Sequence, residues 1–266
     1  MGEGLTAAEI TADLRALGLR PGDDVLVHSS LSSLGWVEGG AETVIDALLA
    51  AVLPSGTVLM PALTGSPDDG PDRPPRMDVR HTPCASWIGR IPEAFRRRPE
   101  VRRSLHPTHS VTAIGERAQW YTTGHERCDM PCGPGSPYVR LMDRGGYILL
   151  LGCTQESNTS LHALEELADV PYHLQEAVTD AVVIDEAGRE IVVSGRLHWW
   201  GWKRCFSRVD EPLRQAGVMR EGKVGKAHAR LINASGLRDV VLPLLRADPL
   251  YLLSDEAREA FLRTRG

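Results

Sequence analysis

The chain has 266 residues, 42% of them hydrophobic and 24% charged, with a formal net charge of −5. That is the make-up of a globular enzyme with a sizeable core, and the acidic balance speaks against nucleic-acid binding while suiting a cationic substrate. The sequence opens without the basic start and apolar run of a signal peptide, no stretch reaches membrane-spanning length, and five cysteines form no even disulfide framework, so a reducing cytoplasm is the expected compartment.

The first element is a helix. Thr6 suits an N-cap with Glu9 three residues on, Ile10, Leu14 and Leu17 recur at helical spacing, and Gly18 ends the run. After the Pro21-Gly22-Asp23 turn, Val25-Leu26-Val27 reads as a buried strand. Val44, Ile45, Leu48, Leu49 and Val52 mark the next helix, and Val58-Leu59-Met60 a second strand. This strand–helix–strand order predicts a parallel sheet covered by helices. Residues 64–83, with five prolines and four aspartates, read as a long surface loop. A helix is expected around Trp87–Arg97, a strand near Val111–Ile114, a strongly buried strand at Tyr147–Leu151, and a helix over Ser160–Asp169. Residues 178–193 have the pattern of a hairpin turning at Glu186-Ala187-Gly188-Arg189. Two helical patterns near 206–216 and 236–246 flank a short strand at Ala229–Ile232.

Three clusters carry chemistry. The first is the strand, turn and helix at 147–169, which presents His162 and Glu165 three apart on one helix face at the end of a sheet strand. Histidine takes a proton near neutral pH and a carboxylate can fix its tautomer; a half-buried histidine of no catalytic role is the plain alternative. The second is His28-Ser29-Ser30-Leu31-Ser32-Ser33-Leu34-Gly35, followed by Val37 and two glycines, whose backbone amides can face a phosphate or an amide-rich ligand. It lacks the lysine and glycine spacing of a Walker loop. The third is Arg102-Arg103-Ser104-Leu105-His106-Pro107-Thr108-His109-Ser110, where arginines and hydroxyls suit phosphate contacts. A metal on His106 and His109 is not expected, because Pro107 breaks the alignment and no third ligand is near. Cys128 and Cys132 have no second pair to make a zinc site, Cys153 reads as packing before nucleophile, and Trp199-Trp200-Gly201-Trp202 reads as core before a stacking wall for sugar rings.

In this order the segments resemble the aminoglycoside 3-N-acetyltransferase family. The resemblance runs from Leu26–Gly35 through Gly56-Thr57-Val58-Leu59-Met60-Pro61, Arg103–Val111, Gly133-Pro134-Gly135-Ser136-Pro137, Leu149-Leu150-Leu151-Gly152 and Thr159–Glu165 to Gly222-Lys223-Val224-Gly225-Lys226-Ala227. It implies one α/β domain over 1–266 with a central mixed, largely parallel sheet, distinct from the GNAT acetyltransferases. It also implies acetyl-CoA as donor, no metal, and a polycationic aminoglycoside as acceptor. Carried onto this chain, His162 would be the base, Glu165 its carboxylate partner, and Thr159 a donor to the thioester oxyanion. His28, Ser29, Ser30, Leu31, Ser32, Gly35 and Val37, with Arg103, Ser104, His109 and Ser110, would hold the pantetheine and phosphates. Asp68, Asp69 and Asp72, with Glu166 and Asp210, are candidates for an acidic acceptor cleft. The chain departs from the family in a shorter stretch before the His-Pro cluster and in His198–Phe206, where acceptor specificity is expected to be set. Three other readings stay open: a same-fold acetyltransferase acting on another amine, a Cys153/His162 hydrolase, and a non-catalytic CoA-binding module, against which the His162–Glu165 pair speaks.

Overall fold

In the computed structural model, which describes residues 4–264, the chain opens with α1 (Ala7–Leu17), β1 (Asp24–Ser29), α2 (Ala41–Val52), β2 (Thr57–Pro61) and β3 (Arg76–Asp78). It continues through α3 (Arg90–Phe95), β4 (Arg102–Arg103), β5 (Val111–Gly115), α4 (Ala118–Thr122), α5 (Pro137–Arg144), β6 (Tyr147–Leu151) and α6 (Ser160–Leu167). A long hairpin of β7 (Leu174–Ile184) and β8 (Glu190–His198) follows, then α7 (Asp210–Gln215), β9 (Met219–Val224), β10 (Ala227–Asn233), α8 (Ala234–Ala247) and α9 (Asp255–Thr264).

The N-terminal helix has the cap its sequence predicts. Glu9 Oε2 accepts the Thr6 N–H at 2.9 Å while Thr6 Oγ1 accepts the Glu9 N–H, and Gly18 ends the helix at φ +128°. Strand periodicity then builds the core. Val25, Val27, Val58, Met60, Leu149 and Leu151 point to one face of the sheet, under α1, α2 and α3. Their neighbours Leu26, Leu59, Ile148 and Leu150 point to the other face, toward α5, α6 and α8. Both faces are therefore apolar, as a sheet covered on two sides requires.

The seven-stranded sheet runs β4-β5-β2-β1-β6-β10-β9. It is mixed, but its parallel part is narrower than expected: β1 pairs parallel with β2 and β6, whereas β5, β10 and β9 join antiparallel. For β9 and β10 the reason lies in their connection, a hairpin, which can only be antiparallel. A second sheet, β3-β7-β8, carries the predicted hairpin. It also corrects the reading of 64–83 as plain loop: Met77 is buried against Val183 and Val193, and β3 pairs with β7. Among the described residues no helix is long and apolar enough to cross a membrane.

Candidate active site

Parallel pairing makes β1, β2 and β6 end on the same side of the sheet, and a cleft of about 340 Å³ opens there. Its floor carries His28 and Ser29 from the end of β1, Leu63 from beyond β2, Asn158 and Thr159 from the turn after β6, and His162 from α6. Its walls come from elsewhere: Trp87, Ile88 and Pro92 before and in α3, and His198, Trp199, Trp200, Trp202 and Arg204 at and beyond the end of β8.

His162 sits one turn into α6, so its ring reaches the cleft while Glu165, one turn on, is fully buried behind it. The His162 Nδ1–H donates to Glu165 Oε2 at 2.6 Å, which leaves Nε2 to face a ligand. Burial pushes the His162 pKa down to about 4, against the upward pull of Glu165. The ring is therefore neutral at physiological pH and able to accept a proton. Burial would raise the Glu165 pKa, yet His173 at 3.0 Å and Arg204 at 3.3 Å hold it well below the usual range. Glu165 is thus a carboxylate with three cationic or donor neighbours, fixed in place by all of them.

Behind this pair lies a buried network that sequence reading missed. His173 reaches Glu165 through Nδ1, and its Nε2 stands 2.9 Å from His198 Nε2. Glu166 Oε1 stands 2.9 Å from the same His198 nitrogen. The His109 and His198 rings lie 3.9 Å apart between centroids. Because these histidines sit far apart in sequence, on the turn after α6, at the end of β8 and before β5, only tertiary structure assembles them. Two sets, His109 with Cys132 and His198, and His162 with His173 and His198, bring three donor atoms within 4.8 Å of one another. The shared His198 Nε2 is already turned to His173 and Glu166, so these sets read as a hydrogen-bonded network.

Several expected ligand contacts need correcting. Arg103 is buried, with Nε on Ser110 Oγ at 2.9 Å and its terminal nitrogens on the carbonyls of Thr82 and Ala62. It staples the 64–83 segment to the sheet, with each of its three nitrogens engaged inside the fold and the side chain away from the cleft lining. Ser110 is used in that staple. Ser104 Oγ accepts from Val111 N–H and meets His125 Nδ1 at 2.9 Å, while His125 Nε2 donates to the Pro131 carbonyl. His106 Nδ1 accepts the His109 N–H at 3.0 Å and caps its own turn. Of that cluster only His109 reaches the cleft.

In the serine turn, His28 Nε2 and Ser29 Oγ are buried without a partner and line the cleft. Ser30, Ser32 and Ser33 bond to one another, with Ser33 Oγ donating to the Gly152 carbonyl, and Leu31 and Val37 pack on the core. Gly35 has φ +89° and lies against the Lys226 side chain, so the turn meets the glycine-rich C-terminal segment.

Among the acidic candidates, Glu166 is consumed by the Cys132 N–H and the two histidines, and Asp210 accepts from Gln155 and pairs with Arg230. Asp68 pairs with Arg73, and Asp72 is exposed outside the cleft. Asp69 accepts the Ser66 N–H and borders a small recess shared with His109, His198 and Trp200. Of the tryptophans read as core, Trp202 packs partly buried against it, whereas Trp199 at 49% and Trp200 at 42% are exposed in the cleft, where Trp87 at 57% joins them. Cys153 is outside the cleft lining and burial pushes its thiol up to about 11, a poor nucleophile.

A neutral histidine with a carboxylate behind it, on the floor of a cleft over parallel strand ends, is an arrangement able to take a proton from an entering nucleophile. The family follows from comparison with known proteins. Residues 26–246 match the family model described as aminoglycoside 3-N-acetyltransferase, and the chain belongs to that family. It is similar to the aminoglycoside N(3')-acetyltransferase-like protein YokD of Bacillus subtilis, 36% identical over 86% of this chain and 88% of the relative. Its fold is similar to the aminoglycoside acetyltransferase AAC(3)-IVa apoenzyme, with TM-score 0.80, 32% identity, and 97% and 98% of the two chains covered. It is likewise similar to AAC-IIIb in a binary structure with CoASH, at TM-score 0.79 and 28% identity, covering 92% of this chain and 97% of the other.

Proposed function

We propose that this protein transfers the acetyl group of acetyl-CoA to an amine of an aminoglycoside, with His162 as general base. The observation that carries the reading is the 2.6 Å contact from His162 Nδ1 to buried Glu165, beside a cleft at the strand ends. The amine nitrogen attacks the thioester carbonyl while His162 Nε2 takes its proton. The tetrahedral intermediate collapses, the C–S bond breaks, and the coenzyme A thiolate leaves and is protonated by the imidazolium. Thr159, which lines the cleft one turn before His162, is the candidate donor to the oxyanion. Unpartnered His28 Nε2 and Ser29 Oγ, and the meeting of Gly35 with Lys226, support a donor site along the serine turn. No acyl-enzyme is required, because a neutral, oriented amine is a good nucleophile.

The test is thiol release from acetyl-CoA with a panel of amines including gentamicin and apramycin, before and after thiol alkylation. Acceptor-dependent release that survives alkylation is expected. Release without an amine, lost on alkylation, would favour the Cys153 hydrolase and sink this reading.

A further inference from the structure

Where the cleft is open to a ligand, its free charge is negative. Burial keeps His28, His109, His162 and His198 neutral, and the charge of Arg204 is paired with buried Glu165 at 3.3 Å. Glu156, exposed on the turn before α6, lines the cleft. Its Oε1 accepts the Ser207 N–H at 3.0 Å and Oγ–H at 2.8 Å, which fixes the carboxylate and leaves Oε2 unengaged. Asp69 is held likewise: Oδ2 accepts the Ser66 N–H at 2.8 Å, and its carbonyl accepts from Gln175 Nε2 at 2.8 Å. It borders a recess that shares Trp200 with the cleft. Two carboxylates set in place by hydrogen bonds suit a cation, but an aminoglycoside carries more ammonium groups than they can pair. An ammonium that loses water here without a counter-charge needs another partner.

Aromatic faces supply it. Trp87, on the turn before α3, and Trp200, beyond β8, meet with centroids 6.0 Å apart and planes at 78°. Planes so near a right angle make a corner that shows one face of each ring, and both rings are exposed. The face of an indole is its negative side, and tryptophan is the best of the aromatic side chains at attracting an ammonium. The segment that carries the wall is fixed. A Cβ on Gly201 would lie 2.4 Å from the Trp199 Nε1, so only glycine leaves room for that ring, and Arg204 donates to the carbonyls of Trp199 at 3.3 Å and Trp202 at 2.6 Å.

We propose that the polycationic acceptor is held by Glu156, Asp69 and the corner of Trp87 and Trp200 together, each carboxylate pairing one ammonium group and the indole faces taking a further one by cation–π contact. This rests on the acetyl-transfer reading and names the specificity-determining residues of that same site. The two kinds of contact divide the work. The amine that reacts must reach His162 on the cleft floor as the free base, whereas the amines that stay protonated are held at the walls. Ammonium–carboxylate pairs at exposed positions weaken with salt, and a π face distinguishes itself from mere apolar area by what replaces it.

The experiment is steady-state thiol release from acetyl-CoA with gentamicin as acceptor, at low and high salt, on the wild type, Trp200→Phe, Trp200→Leu, Glu156→Gln and Asp69→Asn. Leucine keeps apolar area and removes the π face, while phenylalanine keeps a weaker one. The gentamicin KM should rise about tenfold in Trp200→Leu and about threefold in Trp200→Phe. It should rise about tenfold in each carboxylate variant too, and climb less steeply with salt there than in the wild type. The acetyl-CoA KM should stay put throughout. A gentamicin KM that ignores Trp200→Leu, or ignores both carboxylate variants, would overturn the proposal and leave the acetyltransferase standing. Equal losses in Trp200→Phe and Trp200→Leu would reduce the corner to apolar contact and overturn it, as would a rise in the acetyl-CoA KM, which assigns the wall to the donor. Thiol release that needs no amine would defeat the acetyl-transfer reading itself. Calorimetric titration of gentamicin into the same proteins reads the wall without turnover, and a Kd unchanged by Trp200→Leu would overturn it.

Discussion

Replacing Glu165 by Gln keeps the shape of the site and removes one charge. Two unit charges about 4 Å apart at an effective dielectric of about 20 interact by roughly 4 kcal/mol. His162 carries only part of a positive charge while the proton is in flight, so a loss of about 2–3 kcal/mol in transition-state stabilisation is expected, or roughly a hundredfold in kcat. A glutamine amide can also donate to Nδ1 and stabilise the tautomer that carries its proton on Nε2, which cannot accept another. His162→Ala should cost about 10²–10⁴-fold in kcat with donor affinity unchanged. Since Glu165 acts through His162 at 2.6 Å, the double variant should be no slower than His162→Ala alone. The pH profile adds a check. With the His162 pKa near 4, the base is free throughout the neutral range, so the rise of rate with pH belongs to the acceptor amine and should keep its midpoint in Glu165→Gln. The assay is thiol release at saturating acetyl-CoA, with circular dichroism to confirm folding. Near-normal kcat in Glu165→Gln, or additive losses in the double variant, would refute the pairing.

Two further outcomes follow from the same structure. Saturating acetyl-CoA should raise the thermal midpoint, by about 2.7 kcal/mol of stabilisation at a hundred times Kd; a calorimetric scan without a shift would remove the donor from the scheme. Stability should fall with acidification between pH 6.5 and about 4. Buried His125, on Ser104 and the Pro131 carbonyl, has its pKa lowered to about 4 by burial, so below 6.5 the unfolded chain binds a proton that the folded one refuses. That depression of about 2.5 units corresponds to about 3 kcal/mol lost across the window; His28 adds in the same sense, and His173, raised by its two glutamates, opposes. Urea unfolding at pH 7 and pH 4.5 should show the loss, smaller in His125→Gln, and equal stabilities would count against it.

Local pattern carried far in this chain because local pattern is what made those elements. The capping box at Thr6 and Glu9, the two-faced strands at Val25–Val27 and Tyr147–Leu151, and the hairpin around Gly188 are each decided within a few residues. His162 with Glu165 was legible for the same reason, since three-residue spacing on a helix is a contact. What failed were inferences from residue type about exposure. Arg103, Ser104 and Ser110 have the chemistry of a phosphate site, but their partners, Thr82, Ala62 and His125, are up to 48 residues away and hold all three side chains inside the fold. Trp199 and Trp200 have the chemistry of core, but they follow directly on a strand end over the cleft, and β8 stops at His198. In this sequence the glycine between Trp200 and Trp202 was the available signal. Four residues that pack into a core seldom need one, whereas an indole lying over bare backbone does, and Gly201 leaves 2.4 Å where a Cβ would stand. Glu166 as an acceptor ligand fails on the same ground. Glu166 looked free on α6, yet the turn at Cys132 and two histidines from other elements close over it, so the carboxylate that sequence offered to the substrate is engaged inside the histidine network.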